Sequence, residues 1–224
     1  MDQKVRTEAI KVAVRKQLED LWLDAPEEGN VLEFLRQAPE RISKASGLAI
    51  MKAPCINGDG RVAGYLNRPE KVIILTETLS PAVLHFTLGH ELGHWFLHPG
   101  KAYFRDFALS NPSTSEKRPV EEREADRFAT LLTMPEKTVR NCYEELFGES
   151  GQLARDEDLP FWLSQSLRRD IDRDWLEAQN SNTRAKLVAE LTIYRGRHRG
   201  ALANHFGVSS TAMGLRLVEL GLFE

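Results

Sequence analysis

The sequence is poor in cysteine and has no long hydrophobic run. Among its 224 residues are two cysteines, Cys55 and Cys142, which lie far apart and in unrelated contexts. We therefore expect neither a disulfide framework nor a thiolate metal cage. The longest uninterrupted apolar runs, residues 48–51 and 72–75, contain four residues each, whereas a helix needs roughly 20 to cross a bilayer. The sequence thus predicts no membrane-spanning helix and no membrane partner.

The sequence also shows no marked excess of charge, and its first residues do not have the pattern of a signal peptide. Its 30 lysines and arginines nearly balance 33 acidic residues, which gives a net charge of −3. This balance argues against bulk electrostatic attraction to nucleic acid or to an anionic membrane. The first twenty residues are charged throughout, without the apolar core and the cleavage site of a signal peptide. We therefore expect a cytoplasmic protein.

The apolar pattern predicts an α+β fold. Helical periodicity over residues 5–23 and after Asn30 gives way to three short β-rich runs separated by turn residues. These runs are residues 48–51, 62–66 and 71–75. Ser80 and Pro81 then begin a helix that runs to about His98, with serine at the N-cap and proline at the first helical position.

The second half of the chain is predicted to be helical. The expected helices are residues 120–133, 161–178, 183–194, 200–206 and 209–220. Residues 149–160 separate the first two of these helices, and their charge and glycine content are typical of a linker. The sequence therefore predicts an α+β domain over residues 1–148 and an all-helical C-terminal domain over residues 161–224.

The string His90-Glu91-Leu-Gly-His94 lies on the helix that begins at Ser80. Four residues advance a helix by about 400°, so the two histidines share one face and can bind one Zn²⁺. Glu91 is placed beside them to accept a proton from water on the metal. Apolar flanks bury this helix, and unpaired histidine and glutamate would be costly there. A zinc site is therefore favoured over a coincidental string.

A third ligand is expected from the helix predicted over residues 120–133. His98 lies two turns from His90, about 12 Å along the axis, which is too far for both to share one ion with His94. On the later helix, Glu122 can complete the zinc site and Asp126 can orient a ligand histidine through its second nitrogen. Carboxylates near a helix N-terminus also satisfy the helix dipole. For that reason the alternatives Glu121 and Glu124 stay open.

Two further pairs of residues are candidates for a role at the site. Gly89 and Gly93 strip side chains from one helix face, which indicates either the approach of a substrate strand or a tight packing contact. Tyr103 and Arg105, in the loop expected after the helix, are candidates for stabilising a tetrahedral oxyanion.

These motifs resemble the ImmA/IrrE family of bacterial and phage-associated metallopeptidases. The similarity covers roughly residues 5–140 and is strong over residues 80–135, which include the HExxH string and the Glu122-x-x-Ala-Asp126 pattern. It departs at Gly89 and Thr133, where alanine and leucine are usual. The resemblance implies a zincin-like peptidase domain with Glu122 as a gluzincin-like ligand. It also implies cleavage of a helix-turn-helix repressor, which relieves repression in a stress-response, mobile-element or toxin–antitoxin setting.

The C-terminal residues have a helix-turn-helix-like pattern, with Gly207 in the turn and Ser209 as an N-cap. Residues 181–224 hold six basic and three acidic side chains, which permits weak DNA contact. The arginines available for that contact are Arg195, Arg197, Arg199 and Arg216. The second helix is expected to bury its leucines, Leu215 and Leu217, together with Val218. That apolar character favours a structural or protein-docking role over DNA reading.

Together these features predict a zinc-dependent endopeptidase with a protein substrate. The alternative is a DNA-binding regulator whose zinc site is structural. Structural zinc is usually closed by four side chains, mostly cysteine and histidine. Three protein ligands with an adjacent glutamate favour catalysis, because they leave one position on the metal for water.

Overall fold

The structure is a computed structural model that describes residues 3–23, 30–56, 62–107 and 118–223. It confirms a mixed α+β fold and divides into two compact units, Met1–Thr133 and Met134–Glu224. Among the described residues, no helix combines the length and the apolar character needed to span a bilayer.

The first unit packs helices against a small mixed sheet. Its described helices are α1 (Gln3–Leu23), α2 (Val31–Ala45), α3 (Pro81–Leu97) and α4 (Val120–Thr133). Its described strands are β1 (Ala49–Ala53), β2 (Val62–Asn67), β3 (Val72–Thr76) and β4 (Tyr103–Phe107). The strand order is β1-β3-β2-β4, with β1 parallel to β3 and the other pairs antiparallel. Strand β4 lies where the sequence predicted a loop after α3. It pairs with β2, which precedes α3 in the chain.

Helix α3 begins as the sequence predicts. The hydroxyl of Ser80 accepts a hydrogen bond from the backbone N–H of Val83 at 3.4 Å, and Pro81 occupies the first helical position. The helix ends at Leu97, directly before the turn that contains Pro99. Both ends of the helix are therefore set by local sequence.

Two glycines bring α3 and α4 into close contact. A Cβ atom at Gly93 would lie 2.8 Å from the Cα of Ala125, and one at Gly89 would lie 3.4 Å from the Cα of Ala129. Both alanines are fully buried. The glycines thus serve a tight helix–helix contact, which was one of the two expected interpretations. Since glycines of α3 lie directly against alanines of α4, α4 approaches α3 closely enough for its polar side chains to reach those of α3.

Arg68, in the turn after β2, caps the C-terminus of α3. Its Nη2 donates to the carbonyl oxygens of His94, Trp95 and His98 at 2.8, 3.1 and 3.2 Å. Its guanidinium carbon also lies 4.5 Å from the centroid of the Trp95 ring. The last carbonyl groups of a helix lack partners within the helix, and a cation there is favourable. Arg68 therefore joins the sheet to the end of the helix that carries both histidines.

We expect Arg68→Ala to lower the free energy of unfolding by about 2 to 3 kcal/mol, because several charge-assisted hydrogen bonds are lost at once. Thermal unfolding of the zinc-free protein should show a melting temperature lower by roughly 5 to 10 °C. The control is Arg36→Ala, which removes an exposed i,i+3 ion pair with Glu33 and should change stability by less than about 1 kcal/mol. Equal melting temperatures for the two variants would contradict the capping role.

The second unit is helical apart from one short hairpin. Its described helices are α5 (Glu136–Phe147), α6 (Leu159–Leu167), α7 (Arg173–Glu177), α8 (Ser181–Ala189), α9 (Leu202–Phe206) and α10 (Ser210–Glu219). The hairpin joins β5 (Ile193–Tyr194) to β6 (Arg197–His198). The helix expected over residues 161–178 is divided, because Arg168 adopts a left-handed conformation with φ of 52°. The helix expected over residues 183–194 ends early, at Ala189.

The compact units do not end where the sequence places the domain limits. Helix α5 belongs to the second unit, where the Phe147 ring lies 5.8 Å from that of Tyr194. The segment 149–160 contains a 3-10 turn, and its residues Leu153 and Leu159 are buried, so it packs within this unit. The limits at 148 and 161 stay a prediction for the functional domains.

Candidate metal centre

The two histidines of the HExxH string both direct their Nε2 atoms toward one point. His90 and His94 are buried on α3, and their Nε2 atoms lie 3.0 Å apart. Glu122 on α4 completes the group, with Oε2 at 3.3 Å from Nε2 of His90 and Oε1 at 3.4 Å from Nε2 of His94. These three side chains form a group whose ligand atoms all lie within 4.8 Å of one another.

The spacing of these atoms fits a tetrahedral zinc ion. Two ligand atoms at about 2.0 to 2.1 Å from such an ion are separated by about 3.3 to 3.4 Å. The three observed separations are 3.0, 3.3 and 3.4 Å. The alternative ligands are engaged elsewhere: Glu121 pairs with Lys101, and Glu124 pairs with His98. The donor set therefore favours Glu122 and leaves a fourth position for water.

Burial and neighbouring groups set the protonation states of the candidate ligands. Burial lowers the pKa of His94 to about 4, although the neighbouring carboxylate of Glu122 acts in the opposite direction. For Glu122, burial raises the pKa, but interactions with the neighbouring imidazoles of His90 and His94 outweigh it and hold the pKa below its usual range. At neutral pH the imidazole is therefore neutral and the carboxylate is ionised, which is the state that binds metal.

Asp126 and Arg118 support two of the candidate ligands. Oδ1 of Asp126 lies 2.9 Å from Nδ1 of His90, which is the orientation expected from the sequence. Arg118 donates through Nη2 to Oε2 of Glu122 at 3.0 Å and contacts Asp126 through Nη1 at 3.2 Å. Sequence reasoning missed Arg118, since an arginine four residues before a glutamate is more often an ordinary surface pair.

Glu91 lies in a space that a glycine of the sheet leaves open. The Glu91 side chain is fully buried, and a Cβ atom at Gly64 of β2 would lie 2.6 Å from its Oε1. Phe104 of β4 stacks on the His94 ring at a centroid distance of 3.9 Å. Sequence reasoning missed both residues. The signal for Gly64 was an isolated glycine inside a strand pattern, which often marks a close approach.

The structure does not bring Tyr103 to this site. Neighbouring positions on a strand face opposite sides of a sheet. Phe104 faces His94, so Tyr103 lies on the other side, where it is 56% exposed and its ring stacks with that of Tyr65 at 6.1 Å. The backbone of Arg105 pairs with Tyr65 in β2, and its side chain lies outside the described residues.

The C-terminal helices differ from expectation at Leu215 and Arg216, and Val218, expected to be buried, is half-buried. Helices α9 and α10 meet at Gly207, as predicted. Arg216 is 2% exposed and donates to the carbonyl oxygen of Met134 at 3.2 Å and to Glu219 at 2.7 Å. It is therefore not the DNA contact that the sequence suggested. Leu215, expected to be buried, is exposed, because Gly214 packs against the backbone of α8 and fixes the inward face of α10.

We expect full-length protein to bind duplex DNA weakly and without sequence preference. Only three of the four candidate arginines remain available, and contact through them should fade with a slope of about one logarithmic unit per phosphate as salt rises. Fluorescence anisotropy with the protein's own promoter and a scrambled duplex measures this. The matched control for removal of Arg195, Arg197 and Arg199 is removal of Arg168, Arg169 and Arg173 from the same unit. A promoter preference that only the first variant loses would favour the regulator hypothesis.

Comparison with known proteins agrees with the geometry. The family described as IrrE N-terminal-like domain, a peptidase family, matches residues 43–156. This match covers about half of the chain and contains Glu91 and the three candidate ligands. A comparison with curated proteins gives no match. On the family match, the chain belongs to the IrrE N-terminal-like peptidases, as the resemblance to the ImmA/IrrE family predicted.

Proposed function

We propose that the protein is a zinc-dependent endopeptidase. The observation that carries this proposal is the group of His90, His94 and Glu122, with separations close to the edges of a zinc tetrahedron, beside the buried carboxylate of Glu91. Zinc bound there would supply Lewis acidity, bringing the pKa of a water ligand to about 7 and polarising a peptide carbonyl. Three ligands with an open position support catalysis over a structural site.

The side chains divide the chemistry between them. Glu91 accepts the proton of the attacking water and then delivers it to the amine that leaves when the peptide bond breaks. Gly64 allows the carboxylate of Glu91 to occupy its position, and Asp126 and Arg118 hold His90 and Glu122 in place. These contacts keep the reacting groups aligned, and much of the rate of peptide-bond hydrolysis depends on that alignment.

The sheet offers a place for an extended substrate. Among the described strands, β4 is the last in the order β1-β3-β2-β4, and its residue Phe104 stacks on His94. A peptide that adds to this edge as a further strand would pass the metal centre, with its backbone bonded to the protein and its side chains free to differ. This arrangement fits a protein substrate.

The resemblance to the ImmA/IrrE family supports a helix-turn-helix repressor as that substrate. We place the protein in the cytoplasm, where it would encounter such a repressor. The test incubates zinc-loaded protein with each purified repressor encoded beside its gene and follows the products by mass spectrometry. We expect one repressor to be cut at a single bond, cleavage to stop with a chelator, and zinc to restore it. An unrelated repressor serves as the control. Intact repressors throughout would refute the substrate, and cleavage in the presence of chelator would refute the metal mechanism.

A further inference from the structure

His98 of this chain is neither a candidate metal ligand nor a surface residue. It caps the C-terminus of α3, and its side chain is 9% exposed. Its Nδ1 lies 3.0 Å from Nδ1 of His94, and its Nε2 lies 2.9 Å from Oε2 of Glu124. The geometry points to His98 as a positioning residue that holds the ligand His94 through its outer nitrogen, with Glu124 as the anchor. This inference rests on the proposed function, because it treats His94 as a ligand.

The hydrogen bonds in this chain have one consistent direction. Both oxygens of Glu124 accept, since Nη1 of Arg6 donates to Oε1 at 3.1 Å and His98 contacts Oε2. His98 therefore carries its proton on Nε2 and has a lone pair on Nδ1. That lone pair accepts the Nδ1 proton of His94. His94 is left with its own lone pair on Nε2, the nitrogen that faces Glu122.

The two candidate histidine ligands are thus supported in different ways. His90 contacts the carboxylate of Asp126 directly, whereas His94 reaches a carboxylate only through His98. The carbonyl oxygen of His98 accepts from Arg68 at 3.2 Å, and its ring lies 5.7 Å from that of Phe104. The first contact holds the backbone of His98, and the second lies beside its imidazole ring. Because Arg6 belongs to α1, the chain of hydrogen bonds connects the N-terminal helix to the metal centre.

Zinc affinity, measured by competition with a chromophoric chelator and without any substrate, tests the inference. We expect His98→Ala to weaken zinc binding by about 10- to 100-fold, the usual effect of removing the partner of a ligand histidine. His98→Asn places an amide oxygen near the position of Nδ1 and should recover most of the affinity. His98→Gln places its amide near Nε2 and should not. This ordering depends on hydrogen bonding to His94 and not on volume alone.

Glu124 tests whether the anchor acts through His98. Glu124→Ala should weaken zinc binding, and the double variant with His98→Ala should be no weaker than His98→Ala alone. Glu121→Ala on the same helix breaks an exposed pair with Lys101, leaves the Glu124–His98 contact in place and is the matched control. The imidazole ¹⁵N spectrum should show the Nε2 lone-pair tautomer of His94 in the wild type and a mixture of tautomers in His98→Ala.

The outcomes separate this inference from the proposed function. Wild-type zinc affinity in His98→Ala, or strictly additive losses in the double variant, would overturn the positioning role even if the protein cleaves repressors. If His98→Ala does not fold, the contrast between His98→Asn and His98→Gln decides the question. A wild-type protein that binds zinc tightly, loses affinity as described and cuts nothing would refute the proposed function and leave the positioning role standing.

Discussion

Glu91→Gln should lose cleavage of the cognate substrate by about 10² to 10⁴-fold while it keeps its metal and its fold. Glutamine has nearly the same shape, so the space beside Gly64 stays filled. It cannot accept the proton of the attacking water at neutral pH, so the chemical step loses its base. Since Glu91 is fully buried and a buried charge is costly, the melting temperature should not fall.

Zinc content, melting temperature and cleavage rate must be measured on the same preparation of Glu91→Gln. Glu77→Gln, which changes an exposed carboxylate of the same unit, is the matched control and should retain full activity. Full activity in Glu91→Gln would remove the general base from the mechanism. Loss of zinc together with the fold would instead favour a structural role for the site.

His90→Ala, His94→Ala and Glu122→Ala should each reduce the zinc content from about one ion per chain to almost none. Each variant removes one of the three candidate ligands. The same variants should lose the stabilisation that zinc gives the wild type, which reaches about 4 kcal/mol when free zinc is 1,000 times its dissociation constant. Elemental analysis measures the first effect, and thermal unfolding with and without zinc measures the second.

His85→Ala is the matched control for the ligand variants, because it removes a histidine from the same helix α3. His85 is half-buried, and burial lowers its pKa to about 4, but it lies outside the candidate ligand group. It should keep one zinc per chain even if it is less stable. Retention of zinc by all three ligand variants, or its loss from His85→Ala alone, would show that the site is assigned to the wrong residues.

Local sequence was enough to predict the part of the site that lies within single helices. The i,i+4 spacing places His90 and His94 on one face, and Ser80 and Pro81 define where that helix begins. The apolar stripe on α4 also identified Glu122 and Asp126 as the side chains at the border of the contact. These features depend on neighbours three or four residues away, and helical periodicity reports such neighbours.

The parts that sequence reasoning missed depend on register between distant segments. Gly64 and Phe104 reach the site only because β2, which precedes α3 in the chain, pairs with β4, which follows it. A single sequence does not specify that pairing. His98 was excluded as a ligand by its distance from His90 along the helix. Its hydrogen bond to His94 depends on the side-chain conformations of both histidines, which helical spacing alone does not specify. In α10, the apolar pattern did not show that Gly214 packs against α8. Leu215 was therefore predicted to be buried, whereas it is exposed.

The cap that Arg68 forms on α3 also affects how the site moves. Most helix ends open and close rapidly, because their last carbonyl groups have no partners inside the helix. Here the carbonyl groups of His94, Trp95 and His98 are bonded to a residue next to the sheet. The last turn of α3 therefore cannot fray alone. Its opening requires release of Arg68, so we expect this turn to open rarely and the alignment of His94 and His98 to be maintained.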